Sequence, residues 1–296
     1  MNKSNLEMFC RVVEEGSISQ AARIGYVSQP AVTNQIRQLE KYYGVALFDR
    51  TGGKLKLTES GSILYPYAKE IIDCFKRSAE AVKGIVNLEA ATLNIGASLT
   101  IGEYLLPSIL GEFQKENKNL KFNLTIGNTP TIVSKLENRD IDIALVEGLV
   151  ANDDFLIKRF AEDELIVITP SNHRWSNRNE INIEELSEEK MILREKNAGI
   201  REIVENVLRE NNVLEKVESH MELGSTQSIK SAVEAGLGIS ILPKLSVSKE
   251  LELGVLKHVA ISDIRIIRDL WVVEIPSRFP RESVNAFISY LKMLAI

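Results

Sequence analysis

The stretch GSISQAARIGYVSQPAVTNQIRQLEKYYG, Gly16 to Gly44, holds two short helical patterns parted by Gly25-Tyr26-Val27. Ser17 is placed to cap the first pattern, residues 18–24, by accepting from an exposed backbone N–H. Ala21 and Ala22 are small enough to let a neighbouring helix approach, and Gly25 is expected to supply the turn. Ser28 caps the second pattern, with Pro30 in its first turn, where the missing N–H has no helical partner anyway. Val32, Ile36 and Leu39 recur at i, i+4 and i+7 as a buried stripe, and Gly44 stops the run. Two short helices, a tight turn and a small-residue contact form a helix-turn-helix pattern. With the stripe inward, the opposite face presents Gln29, Thr33, Asn34 and Arg37. Amides pair with adenine, guanidinium groups with guanine, and methyl groups touch thymine, so this face suits the major groove. A solvated polar surface would carry the same residue types.

Outward from that core, Leu6, Phe9, Val12 and Val13 predict an amphipathic helix over residues 3–15. On the other side comes VALFDRTGGKLKLTESG. Leu47 and Phe48 can plug a three-helix core, and Arg50-Thr51-Gly52-Gly53-Lys54 reads as a tight turn between two short strands, with Leu55 and Leu57 inward. Such a wing can lay a basic tip along phosphates or into the minor groove. Residues 1–58 hold eight Lys/Arg against five Asp/Glu, whereas the remainder holds 28 against 36. A basic head on an acidic body fits a polyanion-binding module joined to one that does not bind polyanions.

The run from Leu6 to Gly61 closely resembles the DNA-binding domain of LysR-type transcriptional regulators, through Ser28-Gln29-Pro30-Ala31 and Leu47-Phe48-x-Arg50 above all. The resemblance implies a dimeric or tetrameric bacterial regulator that binds double-stranded DNA, contacts RNA polymerase and carries a small-molecule effector domain behind the head. It implies DNA contacts from Ser28, Gln29, Pro30, Thr33, Asn34, Arg37, Arg50 and Lys54. Many relatives carry a second arginine in the wing, where this chain has Gly53-Lys54.

Thr58 can cap a long helix through about residue 86, whose apolar positions are Ile63, Tyr67, Ile71, Phe75, Ala79, Val82 and Val86. A helix of roughly 28 residues is about 42 Å long. A 58-residue head cannot hide that whole stripe. A second copy of the chain could cover it, and so could the C-terminal body of the same chain. A dimer also places two reading helices one DNA turn, about 34 Å, apart.

From Thr92 strands alternate with helices, which predicts a mostly parallel α/β sheet in two lobes joined by crossing strands near 161 and 267. Ligands of such sheets sit beyond strand ends, where helices begin. Three junctions qualify: GASLTIG with Ser98 and Thr100, REKNAGIRE with Asn197 and Gly199, and GSTQS with Ser225, Thr226 and Gln227. Helix N-termini and hydroxyls together favour a small carboxylate or oxyanion, although plain N-capping explains each junction singly. Residues 92–296 are similar to the LysR-type effector domain, related in fold to periplasmic binding proteins, and Ser98 and Thr100 match that family's first ligand-contact loop. Ala198 and Ile200 stand where the family often has hydroxyl side chains. Glu147 is a further candidate for the cleft, with Arg194 or Arg201 as its expected counter-charge.

The overall expectation is a mixed fold: a winged helix-turn-helix over 1–58, a linker and dimerisation helix over 59–87, and a two-lobed α/β effector domain over 88–296. Lobe I would span about 92–161 and 268–296, and lobe II about 162–267. No HExxH, P-loop or Gly-x-Ser-x-Gly motif occurs, and His173, His220 and His258 are scattered, so no catalytic role, metal or cofactor is expected. Cys10 and Cys74 support neither a disulfide framework nor a zinc site, and Cys10 reads as a core thiol. The amino terminus lacks a signal-peptide pattern and no apolar run suits a membrane span, so the expected location is the cytoplasm. Duplex-DNA binding separates this reading from its competitors, an enzyme or a solute-binding protein.

Overall fold

The computed structural model describes residues 2–49, 55–86, 92–148, 150, 152–196, 198–278 and 280–294. It divides into two compact units, one of Met1–Leu93 with Asn119–Lys121 and Ser134–Asp142, the other of Asn94–Lys118, Phe122–Val133 and Ile143–Ile296.

In the first unit, α1 (Lys3–Glu15), α2 (Ile18–Ile24) and α3 (Gln29–Tyr43) are capped by Asn2, Ser17 and Ser28, whose side chains accept from Asn5, Gln20 and Ala31 backbone N–H groups. Leu6, Phe9, Ala21, Ala22, Val32, Ile36, Leu39, Leu47 and Phe48 form one core. The turn falls at Gly25-Tyr26-Val27 as expected, but the glycine is not its left-handed residue. Gly25 stays right-handed at φ −77°, and Tyr26 takes the left-handed conformation at φ 53° while 96% exposed. Gly25 is instead a close-approach site: a Cβ there would lie 2.8 Å from Arg11 Nη1 and 3.0 Å from Met8 Cε. After α3, the Glu40 carboxylate accepts from the backbone N–H groups of Leu47 and Phe48, at 3.0 and 3.4 Å, which turns the chain into the core. Strand β1 (Phe48–Asp49) then pairs antiparallel with β2 (Lys56–Leu57). The wing tip, including Arg50 and Lys54, lies outside the described residues.

Helix α4 (Glu59–Val86) spans 28 residues. The Thr58 hydroxyl accepts from Gly61 N–H at 3.0 Å and donates to the Ala46 carbonyl at 2.8 Å. A Cβ on Gly61 would meet the Leu47 carbonyl oxygen at 2.2 Å, so only glycine lets the helix start this close to the head. The helix has two apolar faces, not one. Leu64, Ala68 and Ile72 are buried in the head's core, with Ile71 packed beside them. Ile63, Tyr67, Phe75 and Val82 are 52–64% exposed. The seven-residue stripe therefore splits, because Ile71 turns toward the head.

The second unit is built on a mixed sheet. Its path runs β4 (Lys121–Gly127), β3 (Thr92–Ser98), β5 (Ile143–Glu147), β12 (Ile266–Glu274), β6 (Leu156–Pro170), β11 (Leu256–Ile261) and β7 (Glu180–Ile181), with β10 (Ser240–Pro243) also on β6. Strands β3 and β5 are parallel, as are β8 (Met191–Arg194) and β9 (Ser219–Leu223). The expectation of a mostly parallel sheet is corrected at its centre. Strand β12 runs antiparallel to both β5 and β6, and β10 and β11 run antiparallel to β6. The cause is the two crossing strands, which return the chain through the first lobe. Their ladder slips between Leu270, opposite Ala161, and Trp271, opposite Arg159, which leaves Phe160 as an extra residue.

The continuous apolar run of β6 reflects cover on both faces. Leu165 and Val167 pack with Trp175, Ile200, Val204 and Leu208 of the side bearing α7 (Gly199–Glu210). Ile166 and Ile168 pack with Ile229 and Val233 of α8 (Thr226–Glu234) and Val247 of α9 (Lys244–Glu252). In the first lobe, Phe113 of α5 (Leu106–Glu116) meets Phe287 of α10 (Glu282–Met293) at 5.2 Å between ring centres. Helix α5 is entered through one π-helical turn over Ile101–Leu105. Helix α6 spans Thr129–Glu137.

Candidate DNA-binding face and effector site

On α3 the buried stripe fixes which side chains remain outside. Gln29, Pro30, Thr33, Asn34 and Arg37 line one shallow concavity. Gln29, Pro30, Asn34 and Arg37 are exposed and Thr33 is half-buried. Neighbouring amides on the helix are engaged elsewhere: Gln35 donates to Ser4 at 3.0 Å, and Gln38 accepts from Asn5 at 3.1 Å. Gln29, Thr33, Asn34 and Arg37 have no side-chain partner among the described residues, which leaves their donors and acceptors turned outward. Ser28 belongs to the cap, its hydroxyl 3.4 Å from Ala31 N.

The effector candidates fall into two groups. At the end of β3, Ser98 and Thr100 are each 3% exposed. Neither caps a helix. The Ser98 hydroxyl donates to Glu147 Oε1 at 2.9 Å, and Thr100 makes no cap bond. Glu147 ends β5, next in the sheet, so these residues meet because the strands are parallel neighbours. Its counter-charge is neither Arg194 nor Arg201, as expected from sequence, but Arg268, whose Nη1 lies 2.5 Å from Glu147 Oε2. The same guanidinium donates to Asp163 Oδ2 from Nε and Nη2 at 3.0 and 2.7 Å. Asp163 Oδ1 also accepts from Leu245 N–H, in the first turn of α9, at 3.4 Å. Burial pushes the Asp163 carboxyl above its ordinary value, against the pull of Arg268.

At the other junctions, Arg194 ends β8 and is 6% exposed. Its Nε and Nη2 each lie 2.7 Å from a Glu195 carboxylate oxygen, which holds that carboxyl below its usual range. Its Nη1 is 3.4 Å from Thr226 Oγ1, in the first turn of α8. Ser225 is accounted for as the cap of α8, accepting from Ser228 N–H at 3.1 Å. Arg201 pairs with Glu205 and Glu222 and donates to the Arg194 carbonyl. Gly199 opens α7 behind Ala198, which has no side-chain cap to offer; Asn197 lies outside the described residues.

Sequence reasoning missed four groups here. Arg268 and Asp163 are opposite charges at the starts of the two apolar runs expected to cross, a signal that could have paired them. Lys230 is 4% exposed, donates to the Ser246 carbonyl and Glu250, and has its ammonium 5.0 Å from the centre of the Tyr104 ring. Burial raises the Tyr104 hydroxyl pKa. Among the described residues no cluster of three or more His, Cys, Asp or Glu could hold a metal, and no helix is long and apolar enough to cross a membrane.

Two family models match the chain, the bacterial regulatory helix-turn-helix protein of the lysR family over residues 4–62 and the LysR substrate binding domain over residues 87–295. A probable RuBisCO transcriptional regulator of Cyanidioschyzon merolae is 34% identical over 286 residues, 95% of this chain and 94% of the relative. Among solved structures, the Synechocystis CcmR regulatory domain in complex with 2-PG is 27% identical, covers 69% of this chain and 97% of its own, and has a TM-score of 0.63. Full-length CbnR complexed with its target DNA shares the fold over 100% of both chains at a TM-score of 0.69 and 19% identity. The chain therefore belongs to the LysR family of transcriptional regulators, with a helix-turn-helix DNA-binding head ahead of an effector-binding domain.

Proposed function

We propose that this regulator reads its operator with Gln29, Pro30, Thr33, Asn34 and Arg37 in the major groove, with Ser28 at the helix start and Arg50 and Lys54 on the sugar-phosphate backbone. The observation that carries the reading is the single concavity lined by those five α3 residues, whose polar groups face away from the head's core. The chain acts in the cytoplasm as a homodimer through the exposed face of α4, with dimers pairing into a tetramer over two sites. A small metabolic anion enters the effector domain at Ser98, Thr100, Glu147, Asn197, Gly199 and Thr226. Its arrival changes the bend of the DNA and hence the contacts with RNA polymerase. The relatives' named role in RuBisCO transcription and the 2-PG held by CcmR support a carbon-metabolism anion and make 2-PG a first ligand to try.

The test is operator binding against random duplex at one fixed salt concentration. Gln29→Ala and Arg37→Ala should each lose about 1–3 kcal/mol of discrimination while keeping affinity for random DNA. Equal weakening on both duplexes would make them phosphate contacts and overturn the assignment.

A further inference from the structure

The buried stripe decides which face of α3 points outward, but it holds that face without direction. Apolar contact is non-directional, so Val32, Ile36 and Leu39 lose little when the helix turns slightly about its axis. Base readout is less forgiving. A hydrogen bond to a base edge weakens steeply once its atoms part or lose alignment, whereas attraction between a guanidinium and a phosphate falls slowly with distance. Something directional must therefore grip α3 from within the head if Asn34 and Arg37 are to meet bases in one fixed setting.

Asn5, in the first turn of α1, supplies that grip. It is 2% exposed and is, among the described residues of the head, the one buried polar side chain. Its Nδ2 donates to Gln38 Oε1 on α3 at 3.1 Å. Asn5 is itself held from behind, since its backbone N–H donates to the Asn2 side chain at 2.9 Å. The bond from Gln35 to Ser4, a turn earlier on α3, is exposed to water and so competes less well. A lone polar pair inside an apolar contact is a known way of fixing register between helices. Gln38 directly follows Arg37 and lies one turn beyond Asn34. A helix turns as one body, so any rotation that swings Gln38 off Asn5 swings Asn34 and Arg37 through the same angle.

We propose that Asn5 is a positioning residue for operator recognition: its bond to Gln38 fixes the rotation of α3, and with it the register of Asn34 and Arg37 against base edges. Buried as it is, Asn5 touches no DNA and acts only through Gln38. This rests on the reading face proposed above and assigns what holds that face in register. Loss of the bond lets α3 settle in several rotations, which costs base contacts and spares phosphate contacts.

Binding of the full-length protein to operator and to random duplex, at one fixed salt concentration, tests it. Asn5→Leu keeps the volume of the side chain and removes its amide. The ratio of operator to random affinity should fall by about three- to tenfold, part of what one base-reading pair supplies. Affinity for random duplex and helical circular dichroism should stay at the parent's values. Asn5→Asp should restore the ratio, because the Gln38 amide can turn its N–H groups toward the carboxylate, in a first helical turn that favours an acid. Its extra negative charge should weaken both duplexes alike. Gln38→Ala should lower the ratio too, and adding Asn5→Leu to it should lower it no further, since both remove one bond. Should Asn5→Leu lose its helical signal, Asn5→Ser, which removes the amide at smaller volume, is read in its place. Additive losses, or equal weakening on both duplexes, would overturn the positioning role. So would an unchanged ratio while Arg37→Ala still loses discrimination. If Arg37→Ala loses none either, the reading face falls, and the role of Asn5 with it.

Discussion

Two cysteines on one half of the molecule live in different chemical worlds. Cys10 is 4% exposed among the head's apolar side chains, and burial pushes its thiol up to about 12. Cys74 is exposed on α4. Since the thiolate is the nucleophile, alkylation of the native protein at pH 8 should mark Cys74 and spare Cys10. Equal labelling, read by mass spectrometry, would mean the three-helix core opens readily. The raised pKa also has a stability consequence. An unfolded Cys10 ionises above its ordinary value of 9.0 while the folded one resists ionisation, so this contribution is complete below pH 9 and lost as pH climbs toward 12. Cys10 as a core thiol was legible because it sits among Leu6, Phe9 and Val13 at helical spacing. The turn at Gly25 was legible too, but the glycine's part in it was not, for an equally local reason. Sequence shows that a glycine is present, not whether it is needed for a positive φ or for room, and here room decides while Tyr26 bears the strained backbone.

Periodicity revealed α4 but could not say which of its apolar residues face which neighbour. The head's claim on Leu64, Ala68 and Ile72 follows from Gly61 pressing the helix start against Leu47, a contact no spacing rule contains. What remains outside is a row of large apolar groups that water disfavours and a second copy of the chain can cover. Tyr67→Glu combined with Phe75→Glu should turn the dimer into a monomer in sedimentation. Both side chains are more than half exposed and lie outside the head's core, so the head should keep its helical circular dichroism. A variant that still sediments as the parent does would move the dimer contact off this face. The strand–helix alternation of the body was equally legible, whereas the antiparallel reversal at its centre was not. Direction in a sheet is set by which distant segment pairs with which, and β12 meets β5 from more than a hundred residues away.

For the whole molecule, the β6–β12 pair limits what a ligand can do. Both strands serve both lobes, and the continuous Ser98–Glu147–Arg268–Asp163–Leu245 chain of bonds runs across them. A bound anion can shift the regulator only by favouring one arrangement of the lobes over another. DNA bend angle and footprint should therefore change together at saturating ligand, alongside amide exchange around Phe160 and Leu270. A constant bend with full ligand occupancy would refute that coupling. The candidate effector residues at strand ends were visible from sequence because junction chemistry is local. The Arg268–Glu147 pair was not, since it depends on a carboxylate contributed by a remote strand.

The surplus residue at Phe160 gives the sheet a crease, a line at which the strand bends and its twist increases. Substitutions that lock the regulator permanently on or off, with no metabolite needed, should accordingly gather along that crease, at Arg159, Phe160, Leu270 and Trp271, away from every group that touches ligand or operator.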